Sequence, residues 1–203
     1  EERFTRIKHD SSFPEKSLKK LISIYNLNND NIDKIVFFEK PLLKFERLIQ
    51  NYIEASPTGI KFYNKSAPIW FKEKLFQKNI LIKFICKYFD KFNKKNLVFS
   101  EHHLSHAASA FYPSPFNKAL ILVNDGVGEW ATTSVFLGNQ NSLKKIKQID
   151  FPHSLGLLYS SFTQYLGFRV NTGEYKVMGL APYGEDKYSD IIKDNLITIY
   201  DDG

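Results

Sequence analysis

Three of the five histidines in this chain lie within five residues, in the segment from Glu101 to His106. His102 and His106 are four positions apart, so on a helix they would lie on one face, one turn from each other. That spacing allows two imidazoles to bind one divalent metal ion. His103 would point elsewhere and is not predicted to be a ligand. Spacing alone leaves open that these are ordinary surface or hydrogen-bonded helix histidines.

A carboxylate follows a strongly apolar segment further along the chain. Asp125 comes directly after the segment Ala119–Asn124 and is followed by Gly126 and, two residues later, Gly128. Ligands of α/β sheets bind at the carboxyl ends of strands, so Asp125 is a candidate third ligand of a two-histidine, one-carboxylate site. The two glycines would let backbone amides approach an anionic group. An ordinary Asp-Gly hairpin turn remains the alternative.

A third segment, residues 171–184, is interrupted by several glycines and a proline, as ligand-binding loops often are. Glu174 and Lys176 are its reactive residues. Lys176 could contact a phosphate, and Glu174 could orient a hydroxyl or a lysine. The alternative is a solvated loop that leads into a short helix.

The elements that position these residues alternate between helix and strand. Apolar periodicity predicts helices that begin near Pro14, Pro41, His102 and Ser154, with two more over 69–92, and short strands at 35–38 and 97–99. Residues 57–66 are predicted to be a loop. Three further strands are predicted over 119–124, 131–137 and 143–149, joined by Gly- and Asn-rich turns. The pattern indicates an α/β fold with a mixed sheet.

Composition excludes several classes of protein. The single cysteine, Cys86, rules out a disulfide-stapled scaffold. The sequence contains no run of 18 apolar residues, so a membrane span is not predicted. The net charge of +6 is uneven: residues 1–100 carry +9 and residues 101–203 carry −3. Lysines at helical spacing predict solvated helix faces, so nucleic-acid binding is not expected. Without an apolar leader segment, a cytoplasmic location is the default expectation.

Five ordered segments together resemble the amino-terminal domain of the carbamoyltransferases that modify antibiotics and nodulation factors. They are residues 1–10, 39–47, 101–116, 125–134 and 151–184. The resemblance implies an actin-like, Hsp70-type (ribonuclease-H-like) ATPase lobe that is incomplete here. Residues 1–203 would be a partial domain that lacks the first strands, the second lobe and an adenylate-forming domain. The resemblance therefore implies that this chain is inactive by itself.

The resemblance also implies a ligand set. Positions matching the family's metal ligands are His102, His106 and Asp125, which would be the catalytic residues; a further aspartate would lie beyond Gly203. The metal would be divalent, usually iron in the family, with zinc and manganese left open by the ligand types.

The implied chemistry uses a nucleotide. A separate carboxy-terminal domain would make carbamoyl-adenylate from carbamoyl phosphate and ATP, and this domain would transfer the carbamoyl group to an acceptor hydroxyl. Glu174 and Lys176 would contact carbamoyl-adenylate, with Gly126 and Gly128 beside it. There are two alternatives: a metal-dependent hydrolase, and a non-catalytic fragment that binds a nucleotide or a partner. The sequence does not identify the hydroxyl-bearing small molecule.

Overall fold

The computed structural model describes residues 1–58, 60, 63–64, 67–68 and 75–200. Among these residues lie helices α1 (Glu2–Thr5), α2 (Glu15–Tyr25), α3 (Pro41–Ala55), α4 (Gln77–Ile85), α5 (His102–Phe111), α6 (Leu155–Tyr165), α7 (Glu174–Leu180) and α8 (Ser189–Leu196). The strands are β1 (Ile35–Phe37), β2 (Leu97–Phe99), β3 (Lys118–Asn124), β4 (Ala131–Asn139) and β5 (Ser142–Asp150).

Strands β1 and β2 form a parallel pair. Val36 lies opposite Val98, and the connection between the two strands passes through α3 and α4. Parallel strands need a long crossover of this kind, because a tight turn reverses the chain. Apolar residues beneath the pair are buried together in one cluster: Ile85, Phe89 and Leu97. Helix α5 begins three residues after β2 ends, so this pair sets where the histidine helix starts.

Strands β3, β4 and β5 form an antiparallel meander, as short turns between consecutive strands favour. Alternating residues of β3 face a core shared with α5, and the residues between them are exposed. The core consists of Ala107, Phe111, Ile121, Val123 and Phe136. Helix α5 therefore lies against the meander with its histidines near the carboxyl end of β3.

The structure confirms an α/β chain but differs from the single mixed sheet predicted above. Among the described residues the parallel pair and the antiparallel meander are two separate sheets. The reason is local. Short turns join consecutive strands of the meander, so each pairs with its neighbour in sequence. In the described part of the chain, β1 pairs only with β2, the strand that follows the crossover. The actin-like topology stays a prediction.

The predicted helices match the observed ones at α2, α3, α5 and α6. Ser154 is the N-cap of α6, and Gly167 follows its end with a φ of 82°, as a C-terminal glycine should. Residues 69–74 of the predicted helix pair, and several residues of the predicted loop at 57–66, lie outside the described residues. Helix α4 is the described part of the helix pair predicted over 69–92, and the chain forms turns after it. Residues 174–180 form a short helix after a loop, which agrees with the alternative given above for this segment. Within the described part of the chain, no helix is long and apolar enough to cross a membrane.

Candidate metal centre

Helix α5 brings two imidazoles together. Its buried face toward the meander carries His103, Ala107 and Phe111, and the small Ala107 is fully buried, so the helix packs closely. His102 and His106 lie one turn apart on the other face, with their ring centroids 4.7 Å from each other. Their Nε2 atoms are 3.1 Å apart. The sequence-predicted pair is therefore oriented so that both ring nitrogens point at the same place.

Asp125 meets the same point from the end of β3. Its backbone N–H donates to the Thr132 carbonyl at 2.9 Å, which fixes the turn at the start of the β3–β4 connection. Its Oδ2 lies 2.8 Å from Nε2 of His102 and 3.9 Å from Nε2 of His106. Nitrogen and oxygen ligand atoms of all three residues lie within 4.8 Å of one another. The structure thus brings together the three residues that the sequence singled out.

Electrostatics keep the Asp125 carboxyl ionised. The hydrogen bond with His102 is the largest influence on the pKa of Asp125, which falls to about 2. Burial opposes this shift, while the Gly126 N–H, which donates to Oδ1 at 2.7 Å, adds to it. At neutral pH the site therefore presents a carboxylate, which is the form that binds a metal ion.

The hydrogen-bond chemistry of the three residues fits a cation. Nε2 of His102 lies within hydrogen-bond distance of both the Asp125 carboxylate and Nε2 of His106. A ring nitrogen carries either one proton or one lone pair in the ring plane. Nε2 of His102 therefore cannot form an in-plane hydrogen bond with both Asp125 and His106. A divalent cation would accept lone pairs from all three atoms. The His106 side chain is 53% exposed, so the site is open to solvent on that side. Two imidazoles and a carboxylate suit iron, zinc or manganese.

The glycines after Asp125 serve the packing of the site. The Gly126 N–H already donates to Asp125, and the Gly128 N–H donates to the Ala131 carbonyl at 2.8 Å. In this structure both amides have acceptors within the turn, and that of Gly126 is the anionic Asp125 carboxylate; the approach of these amides to a bound anion stays a prediction. A Cβ on Gly128 would lie 3.2 Å from the Cβ of His102. The absence of a side chain there lets the turn approach α5.

Helix α6 supports the same turn from the other side. The Ser154 hydroxyl donates to the Gly126 carbonyl at 2.7 Å and accepts from the Leu157 N–H at 3.0 Å, so one side chain caps α6 and attaches it to the turn. A Cβ on Gly156 would lie 2.5 Å from the Asp125 carbonyl oxygen. Glycine at this position therefore permits the contact between α6 and Asp125, the residue that follows β3.

Glu174 and Lys176 are not part of this cluster. The Glu174 carboxylate accepts from the Asn171 N–H at 2.8 Å, the Ser160 hydroxyl at 3.0 Å and the Gly173 N–H at 3.2 Å. These hydrogen bonds lower its pKa, and they close the loop before α7 onto α6. Lys176 is exposed on α7. Among the described contacts, none joins either residue to the three candidate ligands.

His103 lies on the buried side of α5. Its Nδ1 is 2.8 Å from the Ser134 hydroxyl, and it is 2% exposed. Burial lowers its pKa, so the ring is neutral at neutral pH. It is directed toward β4 and away from the point where the other two imidazoles meet.

Sequence reasoning missed a buried carboxylate beside the site. Glu129 is 6% exposed and accepts from the backbone N–H groups of Lys40 and His102. Glu101, just before α5, forms ion pairs with Lys40 at 3.1 Å and Lys145 at 3.0 Å. The only signal for Glu129 was its place four residues after Asp125, because its partners are 89 and 27 residues away in sequence.

Comparison with known proteins gives a consistent result. Residues 1–203 match the family described as "Carbamoyltransferase N-terminus". The chain is 52% identical over its whole length to an uncharacterized Synechocystis sp. protein, sll1178, of which it covers 33%. It is 32% identical over 91% of its length to the nodulation protein NolNO of Sinorhizobium fredii, of which it covers 25%. The chain thus spans a third or less of these relatives.

Proposed function

The chain belongs to the carbamoyltransferase N-terminal family, and on this premise we propose that the protein transfers a carbamoyl group from carbamoyl-adenylate to an acceptor hydroxyl. The family supports a carbamoyltransferase-type function. Similarity to the nodulation proteins NolNO and NolO agrees with that function, and a small hydroxyl-bearing acceptor is part of the proposal. The observation that carries the proposal is the convergence of two imidazoles and an ionised carboxylate on one point.

The proposed reaction has two stages. Carbamoyl phosphate, ATP and water would first give carbamoyl-adenylate, phosphate and pyrophosphate, in a part of the protein outside this chain. The acceptor oxygen would then form a bond to the carbamoyl carbon as the bond from that carbon to the AMP oxygen breaks. AMP would leave with that electron pair, and the hydroxyl proton would pass to solvent. Since this chain covers a third or less of its listed relatives, both stages are assigned to the whole protein.

The residues of the chain would prepare the acyl transfer by position and charge. His102, His106 and Asp125 would hold a divalent metal ion. That metal would supply Lewis-acid polarisation of the donor or acceptor oxygen and stabilise the charge that develops there. Asp125 offers an anionic oxygen at neutral pH because its pKa is near 2. The exposed side of His106 gives substrates access to the site.

The nucleotide would contact the surface between the turn after β3 and helix α7. Lys176 is the proposed phosphate contact, because its ammonium group is exposed near the start of α7. Glu174 is assigned to holding the loop at 171–174, because its carboxylate already accepts three hydrogen bonds. Gly126 and Gly128 would keep the turn slim beside the nucleotide.

The test compares His106→Ala with His153→Ala, a control at an exposed histidine outside the cluster. We expect the His106 variant to bind Zn²⁺ or Fe²⁺ at least about tenfold more weakly in calorimetric titrations, since it removes one of three ligands. In the whole protein, we expect it also to lose transfer of the labelled carbamoyl carbon of carbamoyl phosphate in the presence of ATP. The control should retain both properties.

Two results would contradict the proposal. Metal-dependent hydrolysis that needs no ATP would identify a hydrolase built on the same three ligands. Equal and negligible metal binding by the wild type and both variants would indicate a chain that binds a nucleotide or partner without catalysis.

A further inference from the structure

Glu129 links the start of α3 to the start of α5 by accepting hydrogen bonds from backbone amides of both. Its Oε1 accepts from the N–H of Lys40 at 2.7 Å, and both carboxylate oxygens accept from the N–H of His102 at 3.0 Å. Lys40 is the N-cap of α3, and His102 is the first residue of α5. Neither helix start has a side-chain cap of its own among the described residues. One buried carboxylate therefore satisfies amides that begin two helices.

The turn that carries Glu129 holds His102 at three places. Asp125 contacts the His102 ring, and Glu129 binds the His102 amide. Between them Gly128 approaches so closely that a Cβ would lie 3.2 Å from the His102 Cβ. Hydrogen bonds from Asp125 N–H and Gly128 N–H across the turn keep these groups in fixed relative positions. The same five-residue turn thus supplies one candidate ligand and orients the backbone of another.

We propose that Glu129 is a positioning residue of this centre, whose carboxylate fixes α5 relative to the turn so that the ring of His102 and the carboxylate of Asp125 meet. The inference rests on the proposed metal site but concerns a residue outside its ligand set. Partners that orient metal ligands typically change metal affinity by about 10–100-fold when they are removed.

A second role for Glu129 must be separated from this one. Arg47 on α3 is 6% exposed, and the charge of Glu129 partly offsets the lowering of its pKa by burial. If Glu129 acted only as a counter-charge for Arg47, its charge would matter and its length would not. If it positions His102, its reach to both helix starts matters most.

Two conservative variants distinguish the roles. Glu129→Gln keeps the length and an acceptor oxygen at the Oε1 position, which accepts from both amides, but loses the charge. Glu129→Asp keeps the charge but is one methylene shorter. We expect the Asp variant to lose about tenfold or more in Co²⁺ affinity, measured by the visible absorption of bound Co²⁺. The Gln variant should lose less affinity, although its thermal stability falls because the buried Arg47 guanidinium loses a nearby negative charge.

A readout in the metal-free protein makes the test independent of metal binding and of catalysis. We expect the Asp variant to accelerate amide hydrogen exchange at His102 and Lys40 and to shift the ring ¹⁵N resonances of His102 at constant pH. Glu15→Gln is the control, since Glu15 pairs with Lys19 at the surface of α2; it should change neither readout.

The outcomes separate this inference from the proposed function. Wild-type-like exchange and ring resonances in the Asp variant, or a larger change in the Gln variant than in the Asp variant, would overturn the positioning role. Failure of the wild type to bind Co²⁺ would contradict the proposed metal site, while the metal-free exchange data would still decide the role of Glu129.

Discussion

The contact between α6 and the end of β3 gives a sharp test of how the site is held. In Gly156→Ala, the new Cβ would lie 2.5 Å from the Asp125 carbonyl oxygen, 2.9 Å from its carbonyl carbon and 3.0 Å from the Gly126 nitrogen. Ordinary contact begins at 3.4 Å. The methyl group and the carbonyl must therefore separate by about 0.9 Å. All three atoms belong to the backbone, so no side-chain rotation can relieve the clash.

The required displacement exceeds what a metal site tolerates. Ligand positions must be held to about 0.5 Å for function, and Asp125 is the residue against which Gly156 packs. We expect Gly156→Ala to weaken Co²⁺ or Zn²⁺ binding by about tenfold or more and to reduce the free energy of unfolding by about 1–3 kcal/mol, as overpacking does. Calorimetric titration and urea unfolding measure the two effects.

Gly173→Ala provides the matched control. There a Cβ would lie 2.8 Å from the Arg169 carbonyl oxygen, so the variant creates the same kind of backbone clash away from the three candidate ligands. It should lose stability without losing metal affinity. The reasoning would be refuted if Gly156→Ala bound metal as tightly as the wild type, or if both variants lost metal affinity equally.

Three further predictions follow from charge, packing and linkage. Lysine partners lower the pKa of Glu101 below its ordinary 4.5, so its contribution to stability is complete above that pH and is lost as the pH falls through the lowered pKa. Glu101→Gln should therefore flatten the acid side of the unfolding free-energy profile, and an unchanged profile would contradict this. Phe136→Ala should cost about 3–5 kcal/mol in urea unfolding, because the ring is 1% exposed, while exposed Phe116→Ala should change stability by less than about 0.5 kcal/mol. Zn²⁺ at 100 times its dissociation constant should raise the free energy of unfolding by about 2.7 kcal/mol, and chelation should reverse this; equal thermal melts with and without metal would contradict it.

The candidate ligands were predictable because their signals are local. The four-residue spacing of His102 and His106 fixes their common face as soon as the segment is helical. The continuous apolar run of residues 119–123 predicts a strand, and Asp125 follows its end. Each signal needs only a few neighbouring residues, and the structure then brings the two segments together through the contact of α5 with β3.

The supporting residues were not predictable because their partners are distant in sequence. In the sequence, Glu129 is typical of a solvated turn residue. Only the structure places the starts of α3 and α5 beside it. In the sequence, Gly156 is a residue of low helix propensity. Only the structure places Asp125 against it. The Glu174 carboxylate accepts from local amides just before α7, a role that the sequence did not indicate; its contact with a ligand stays a prediction. The sequence pattern identifies reactive groups, and long-range packing decides which of them meet.

Because the two sheets are separate, the geometry of the site depends on the packing between elements that follow different sheets. The histidines follow the parallel β1–β2 pair directly, because α5 starts three residues after β2. Asp125 belongs to the meander, whose strands pair only with one another among the described residues. The three candidate ligands therefore converge only while α5, the turn after β3 and helix α6 stay packed together. A buried carboxylate at one side of that turn and a glycine contact at the other hold this packing, so substitutions at either should weaken metal binding without touching a ligand.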